Sequence, residues 1–394
     1  MPQGLSIQSY NFKNVLIRLV GWDSLNLHCP TGANSGIPSL NSVHLANLMI
    51  EADSSFLRNL WYFALPSQSL KPGKMRAKTL LGEPILFGRT QAGDAFALRD
   101  LCPHRAIPLS CGRFDGAEVE CCYHGWRFDA AGSCTHIPSL VTGQQLNLDR
   151  FGVKSYAVAE VQGNLWIFMG DRTLADPAEI AIVSGFEGRA PQFHLKMIYP
   201  CALDHAVVGL MDPAHSPFVH RAWWWRSGHD FHEEAREFVA SHLGFTMVRH
   251  KVGIMTFVYQ MLGGVPETEI SFRLPSVRIE STTTARYHVS NLTTITPLTE
   301  SESEVNFFAY WNVPWLGLVA PFLRPLAWQF LKQDRDVVER QQVGLKFDPS
   351  LMLIPDSDQL AKWYFQLKKE YAQAQAEQRE FVNPVKDRVL KWRA

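Results

Sequence analysis

At 394 residues, with 46% apolar and 19% charged side chains, the chain is long enough for two domains and has an ordinary globular composition. Its 38 basic and 38 acidic residues cancel to a formal net charge of zero, which removes the electrostatic case for nucleic acid or an anionic surface as a partner. Seven cysteines, an odd number with Cys121 and Cys122 adjacent, argue against a disulfide framework and for a reducing compartment, the cytosol.

Residues 1–54 stand apart: few charges, scattered Ser, Asn, Gly and Pro, and one short apolar run at 15–20. A charged start followed by an adequate apolar run and a small-residue cleavage site is missing, so a poorly ordered leader is expected rather than a signal peptide. The change of texture after Met49 suggests an internal start. From Phe56 the pattern turns to short β-runs, 80–88 and 95–99, around a turn at Ala92-Gly93-Asp94. Residues 125–128, a turn at 130–132 and a strand at 164–169 continue it, so a small β-domain is expected over 55–172. The Ala, Asp and Pro-rich stretch 171–179 reads as the linker to a second domain at 173–394.

Within the first domain, residues 101–126, LCPHRAIPLSCGRFDGAEVECCYHGW, hold two short segments that each offer one thiol and one imidazole: Cys102-x-His104 and Cys121-x-x-His124. Two thiolates and two imidazoles are the donor set of a [2Fe–2S] centre, one iron on Cys102 and Cys121 and the other on His104 and His124. The neutral nitrogens raise its potential above that of an all-cysteine cluster. Zinc is the competing reading, but structural zinc sites pair like ligands at C-x2-4-C and H-x3-5-H rather than mixing thiol and histidine in each loop. The C-x2-H spacing alone favours Cys121 over Cys122. C-P-H-R at Cys102 to Arg105 and C-x-Y-H-G-W ending at Trp126 resemble the cluster loops of Rieske-type aromatic-ring oxygenases. Respiratory Rieske proteins carry an extra disulfide in these loops, and here Ile107 and Tyr123 occupy those positions.

Beyond about Pro191 the order is helix, then long β-branched and aromatic runs at 244–262, 269–279, 285–295 and 304–313, then helix. This predicts an α+β domain with an antiparallel sheet and C-terminal helices, and it resembles the helix-grip catalytic domain of the same oxygenases. Asp212-x2-His215-x4-His220 supplies two histidines and a carboxylate, the ingredients of a non-haem Fe(II) facial triad. On a regular helix His215 and His220 would diverge by about 140°, and Pro213 and Pro217 forbid regularity, so a broken helix is expected. The motif looks like the iron motif of Rieske oxygenases, which implies that His215 and His220 bind iron and that Asp212 bridges to a cluster histidine.

The third ligand is sought on a helix over 326–346. Asp334 has Phe330, Leu331, Val337 and Val338 at helical spacing and sits on an apolar stripe, where iron would supply a missing partner. Asp336 has Lys332, Gln333, Glu339 and Arg340 there and reads as a solvated charge. K-Q-D-R-D-V-V-E at 332–339 also resembles the family's E-x-D-x-x-V-x-E segment, which maps the ligand to Asp334.

The resemblance covers residues 56 to about 345. It implies a [2Fe–2S] cluster, a mononuclear Fe(II) and a head-to-tail homotrimer in which electrons run from His124 through Asp212 and His215 to a neighbouring subunit's iron. No G-x-G-x-x-G fingerprint appears, so a separate NAD(P)H-dependent reductase or ferredoxin is expected. Trp223, Trp224 and Trp225, with Phe307, Phe308, Tyr310, Trp311 and Trp315, favour as a set an apolar, ring-containing substrate. Arg221, Arg226 or Arg278 could pair with a carboxylate, although solvation is the simpler reading of each. The apolar stretch 312–331 is interrupted by Pro314, Pro321, Arg324 and Pro325 and is expected as a buried wall around a pocket, with peripheral membrane contact the lesser option.

Overall fold

The computed structural model describes residues 56–220, 233–251, 264–349 and 352–393. Expectations for residues 1–54, for Arg221, Trp223, Trp224, Trp225 and Arg226, and for the second half of the 244–262 run fall outside the described residues.

The N-terminal part is built of short strands: β1 (Leu60–Pro66), β2 (Lys74–Leu80), β3 (Glu83–Arg89), β4 (Ala95–Arg99), β5 (Arg113–Phe114), β6 (Val119–Glu120), β7 (Arg127–Phe128), β8 (Cys134–His136), β9 (Ser155–Tyr156), β10 (Val158–Val161) and β11 (Asn164–Met169). They pair antiparallel in the orders β1-β11-β10, β2-β3-β4-β9 and β5-β6-β7-β8. The strand expected over 80–88 starts later. Leu80 ends β2, and Leu81 and Gly82, both at positive φ, form the two-residue turn whose twist suits a hairpin. Leucine is held in that conformation because its side chain is buried and the N–H groups of Leu81 and Gly82 donate to the carbonyls of Pro297 and Leu298 at 2.8 and 2.9 Å.

The C-terminal part follows in the order β12 (Phe193–Tyr199), α1 (Leu203–Met211), α2 (Ser216–Val219), β13 (Glu233–Ser241), β14 (Gly244–Lys251), β15 (Glu267–Arg273), β16 (Val277–Thr283), β17 (His288–Thr299), β18 (Glu302–Trp311), α3 (Leu316–Leu345), α4 (Gln359–Ala376) and β19 (Arg388–Arg393). Among the described residues its strands form one antiparallel sheet, β12-β18-β17-β16-β15-β14-β13-β19. The single strand expected over 269–279 is a hairpin, because Pro275 has no N–H for a ladder and the chain turns at Leu274-Pro275-Ser276 between β15 and β16. The expected linker is ordered by its own aspartates: the carboxylates of Asp171 and Asp176 accept from the N–H groups of Thr173 and Ala178 and cap two single turns.

Alternation decides how the two parts join. Leu60, Tyr62 and Ala64 of β1, with Leu165, Ile167 and Met169 of β11, enter one core, while Trp61, Phe63, Trp166 and Phe168 enter a second core against Val277, Leu292, Phe308 and Tyr310. This period of two splits the aromatic set that favours a ring-containing substrate. Phe308 and Tyr310 point into the inter-part core, where Tyr310 accepts from Asn164 at 2.9 Å, while Phe307, Ala309 and Trp311 face Leu316 and Ala320 of α3. A buried polar latch crosses the same seam: Lys78 Nζ donates to Glu304 at 2.7 Å and to the Ala64 carbonyl at 2.6 Å. Lys196 lies 3.2 Å from the same carboxylate, and Asn306 donates to it at 3.0 Å.

Helix α3 begins ten residues before the expected start, at Leu316, and continues through Pro321 and Pro325. The prolines are four apart, so they remove donors from one stripe of the helix. The carbonyls left without helical donors belong to exposed Gly317 and Pro321, where water can replace the lost bonds. The 312–331 stretch is not the buried wall expected. One stripe, including Ala320, Ala327 and Leu331, packs inward, whereas Leu318 and Phe322 are 78% and 79% exposed. A helix laid on one sheet covers only a stripe of its surface, whatever its composition. Among the described residues no helix is long and apolar enough to cross a membrane.

Candidate metal centres

The two thiol and imidazole segments fold as twins. In the first, after β4, Cys102 N–H donates to the Ile107 carbonyl and the Cys102 carbonyl accepts from Ala106 N–H. In the second, between β6 and β7, Cys121 N–H donates to the Trp126 carbonyl and the Cys121 carbonyl accepts from Gly125 N–H. Each loop has a positive φ at its fifth residue, 55° at Ala106 and 69° at Gly125. The cysteines point inward, both 2% exposed, while the rings of His104 and His124 meet at 4.4 Å between centroids nearer the surface. Trp126 stacks flat on His104 at 4.7 Å.

These residues fit a [2Fe–2S] cluster. Burial pushes the Cys102 thiol up to about 11, with neighbouring Cys121 adding to the shift, so a bound cation is what would favour its thiolate there. Cys122 is exposed; adjacent residues in an extended turn point opposite ways, which separates the two candidates. Cys122→Ser should therefore retain the full visible absorption and two iron atoms in the first domain, and Cys121→Ser should lose both. The opposite pattern would reassign the ligand.

Prolines shape the second site. Pro213 drives the residue before it out of helical geometry, so Asp212 ends α1 in an extended conformation with ψ 117°. Its carbonyl, released from the helix, accepts from His215 Nδ1 at 2.7 Å. Pro217 then opens the single turn α2, flanked by His215 before and His220 after. This is the broken helix that the sequence predicts, and it turns both imidazoles toward α3.

There His215 Nε2 and His220 Nε2 lie 3.2 Å apart, and Asp334 Oδ1 is 3.5 Å from the first and 3.3 Å from the second. Ligand bonds of about 2.1 Å meeting near right angles place donor atoms about 3.0 Å apart, so the triangle fits one face of a mononuclear iron. Burial opposes charging of His215, but the hydrogen bond and charge of Asp334, with Asp212, outweigh it and raise its pKa. At His220 burial wins against Asp334 and lowers the pKa, leaving a neutral ligand. Asp336 is paired with Lys332 instead.

Asp212 makes its shortest contact with His215 through the backbone, not the side chain. Its carboxylate accepts from Ala214 N–H at 2.7 Å and comes within only 3.7 Å of His215 Nδ1. Burial raises its pKa against that N–H and the charge of His215. Two further contacts escaped sequence reasoning: Gln333 Oε1 lies 3.1 Å from His220 Nδ1, and the Phe330 ring stacks on His220 at 3.6 Å. Helical spacing puts Phe330, Gln333 and Asp334 on one face, at i, i+3 and i+4, but nothing in the sequence ties Gln333 to His220. Arg278 is paired with Glu280 at 3.0 Å. A cavity of about 220 Å³ lined in part by Trp61 and Trp166 shares no residue with the triangle.

Comparison with known proteins finds a match in each part of the chain. Residues 60–157 match the model of the Rieske [2Fe-2S] domain, and residues 209–370 match that of the vanillate O-demethylase oxygenase C-terminal domain. The chain is 36% identical over 133 residues to a 4beta-methylsterol monooxygenase of Methylococcus capsulatus, covering 34% of this chain and 36% of the relative. It is 34% identical over 173 residues to the oxygenase component of dicamba O-demethylase of Stenotrophomonas maltophilia, covering 43% and 49%. The chain thus spans less than half the length of these curated relatives. The crystal structure of dicamba monooxygenase bound to dicamba superimposes with a TM-score of 0.68 at 25% identity, over 82% of this chain and 100% of that one.

Proposed function

We propose, because this chain belongs to the Rieske non-haem iron oxygenases, that it is the terminal oxygenase of a multicomponent system. It takes electrons from a separate NAD(P)H-dependent reductase or ferredoxin and uses O2 to hydroxylate or oxidatively demethylate an apolar, ring-containing substrate. One observation carries this reading: the twin Cys/His loops and the His215, His220 and Asp334 triangle occur in one chain. An electron-transfer protein needs the loops alone and leaves the triangle without a purpose. Relatives named as monooxygenases and an O-demethylase support monooxygenation over ring dihydroxylation.

When bound, the cluster supplies single electrons and the iron brings O2 to the substrate, one oxygen atom entering the product and the other leaving as water with two electrons and two protons. Cys102 and Cys121 would hold the inner iron of the cluster, and His104 and His124 the outer one. His215, His220 and Asp334 would hold the mononuclear iron, which would supply the binding and activation of O2. We place the assembly as a ring of three in which the cluster loops of one subunit reach Asp212 of the next. The cysteine usage supports the cytoplasm, and the substrate class supports a role in the catabolism of ring compounds.

The test is turnover by the cluster-loaded, iron-replete chain with a surrogate reductase under ¹⁸O2, against aromatic acids, methyl ethers and polycyclic terpenoids or steroids. The expected result is a reductant-dependent product carrying one ¹⁸O atom, or formaldehyde release from a methyl ether. A diol with two labelled atoms would move the chain to the dioxygenases. A protein with no iron beyond the cluster after anaerobic loading would leave only electron transfer.

A further inference from the structure

We propose that Gln333 is a positioning residue for the mononuclear iron: its amide oxygen accepts from His220 Nδ1–H and so fixes the tautomer that turns the Nε2 lone pair toward the metal. The proposal rests on reading His215, His220 and Asp334 as the iron triangle. It adds a residue that nothing in the ligand motif specifies.

The two histidines are held by different means. His215 Nδ1 is satisfied by the backbone carbonyl of Asp212 at 2.7 Å, an acceptor present whatever side chain stands at position 212. His220 Nδ1 faces Gln333 Oε1 at 3.1 Å, an acceptor that a single substitution removes. His220 is 3% exposed, so water cannot readily take over, and a buried donor left unpaired is costly. Helix α3 therefore sets His220 from three successive positions of one face: Phe330 stacks on the ring at 3.6 Å, Gln333 orients Nδ1, and Asp334 stands 3.3 Å from Nε2.

Partners of this kind fix ring orientation and raise ligand basicity, and their removal weakens metal affinity or activity by about 10–100-fold. Without Gln333 the imidazole is free to carry its proton on Nε2 and donate it to Asp334, which closes the lone pair that the metal needs. Glutamate keeps an acceptor in the same place, while leucine keeps the shape and removes it. A packing role would not separate these two variants.

The experiment uses the full chain, cluster-loaded, with the mononuclear metal removed by chelation, titrated anaerobically with Co(II) and followed by its ligand-field absorption. The wild type is expected to bind one Co(II) per chain, Q333L to bind about 10–100-fold more weakly, and Q333E to return to within a few-fold of the wild type. Cluster absorption serves as the fold control, and Q333N, which withdraws the oxygen by one methylene, stands in should Q333L lose the cluster. Q333L or Q333N binding as tightly as the wild type overturns the role of Gln333 and leaves the iron triangle intact. Equal losses in Q333L and Q333E reduce the residue to packing. A wild type that takes up no Co(II) overturns the triangle itself, and the proposal with it.

Discussion

Asp212→Ala is expected to leave both metal centres loaded and to reduce turnover by about 100-fold or more, at or beyond the upper end of the range for loss of a single outer partner. The expectation follows from which atoms of Asp212 do what. The carbonyl that orients His215 is placed by Pro213 rather than by the carboxylate, so alanine keeps that bond and the iron site with it. What alanine removes is the carboxylate, whose one strong bond is to Ala214 N–H and whose side chain remains 32% exposed. In the trimer proposed above, that exposed edge is where the neighbouring cluster loop arrives. Iron and sulfide content, the electron paramagnetic resonance signal of the reduced cluster and steady-state turnover together decide the matter. Retained turnover refutes the bridge, and loss of the mononuclear iron would show instead that the carboxylate holds the site together.

The second large effect is one of stability. Lys78→Met should destabilise the protein by about 3–5 kcal/mol, as breaking a buried ion pair from one side does, because Glu304 is only 4% exposed and is left with Asn306 and the half-exposed Lys196. Burial lowers the Lys78 pKa against the attraction of Glu304. At Glu304 burial pushes the other way, but Lys78 and Asn306 outweigh it and hold the carboxyl below its ordinary range. Burial therefore prevails at Lys78 and pairing prevails at Glu304. The double variant Lys78→Met, Glu304→Leu should recover most of the loss. The sign of the pH dependence follows. Glu304 contributes stability that is fully present above its unfolded value of 4.5 and is lost as pH falls through the lower folded value, so the difference between wild type and Lys78→Met should shrink in acid. Urea denaturation at pH 7 and pH 4 measures both; a single variant within 1 kcal/mol of the wild type would show the latch to be solvated.

Much of the chemistry was legible because it is local. Cys102, His104, Cys121 and His124 are two and three residues apart within two tight turns, and Asp212, His215 and His220 lie within one broken helix, so spacing alone brings each set into view. Asp334 was legible through the cost of a carboxylate on an apolar stripe, an argument that needs only helical periodicity. Gln333 was not, because glutamine on a helix is ordinary and its partner lies 113 residues away. The strand boundaries failed where a turn rests on tertiary support, as Leu81 does on Pro297, or where one proline divides a run of uniform β character, as Pro275 does. Residues 312–331 misled most. Composition measures what a helix could bury, whereas the sheet beside α3 decides how much of it is covered.

The twin cluster loops are alike in hydrogen bonding and unequal in backbone energy. Gly125 adopts φ 69° without penalty, whereas Ala106 holds φ 55° against a preference of about 1–2 kcal/mol for an L-residue. The same turn is thus built once with a residue that takes its backbone angle freely and once with a residue that must be held to it, by the bonds that tie Cys102 to Ala106 and Ile107. The first loop leans on its neighbours where the second stands by itself.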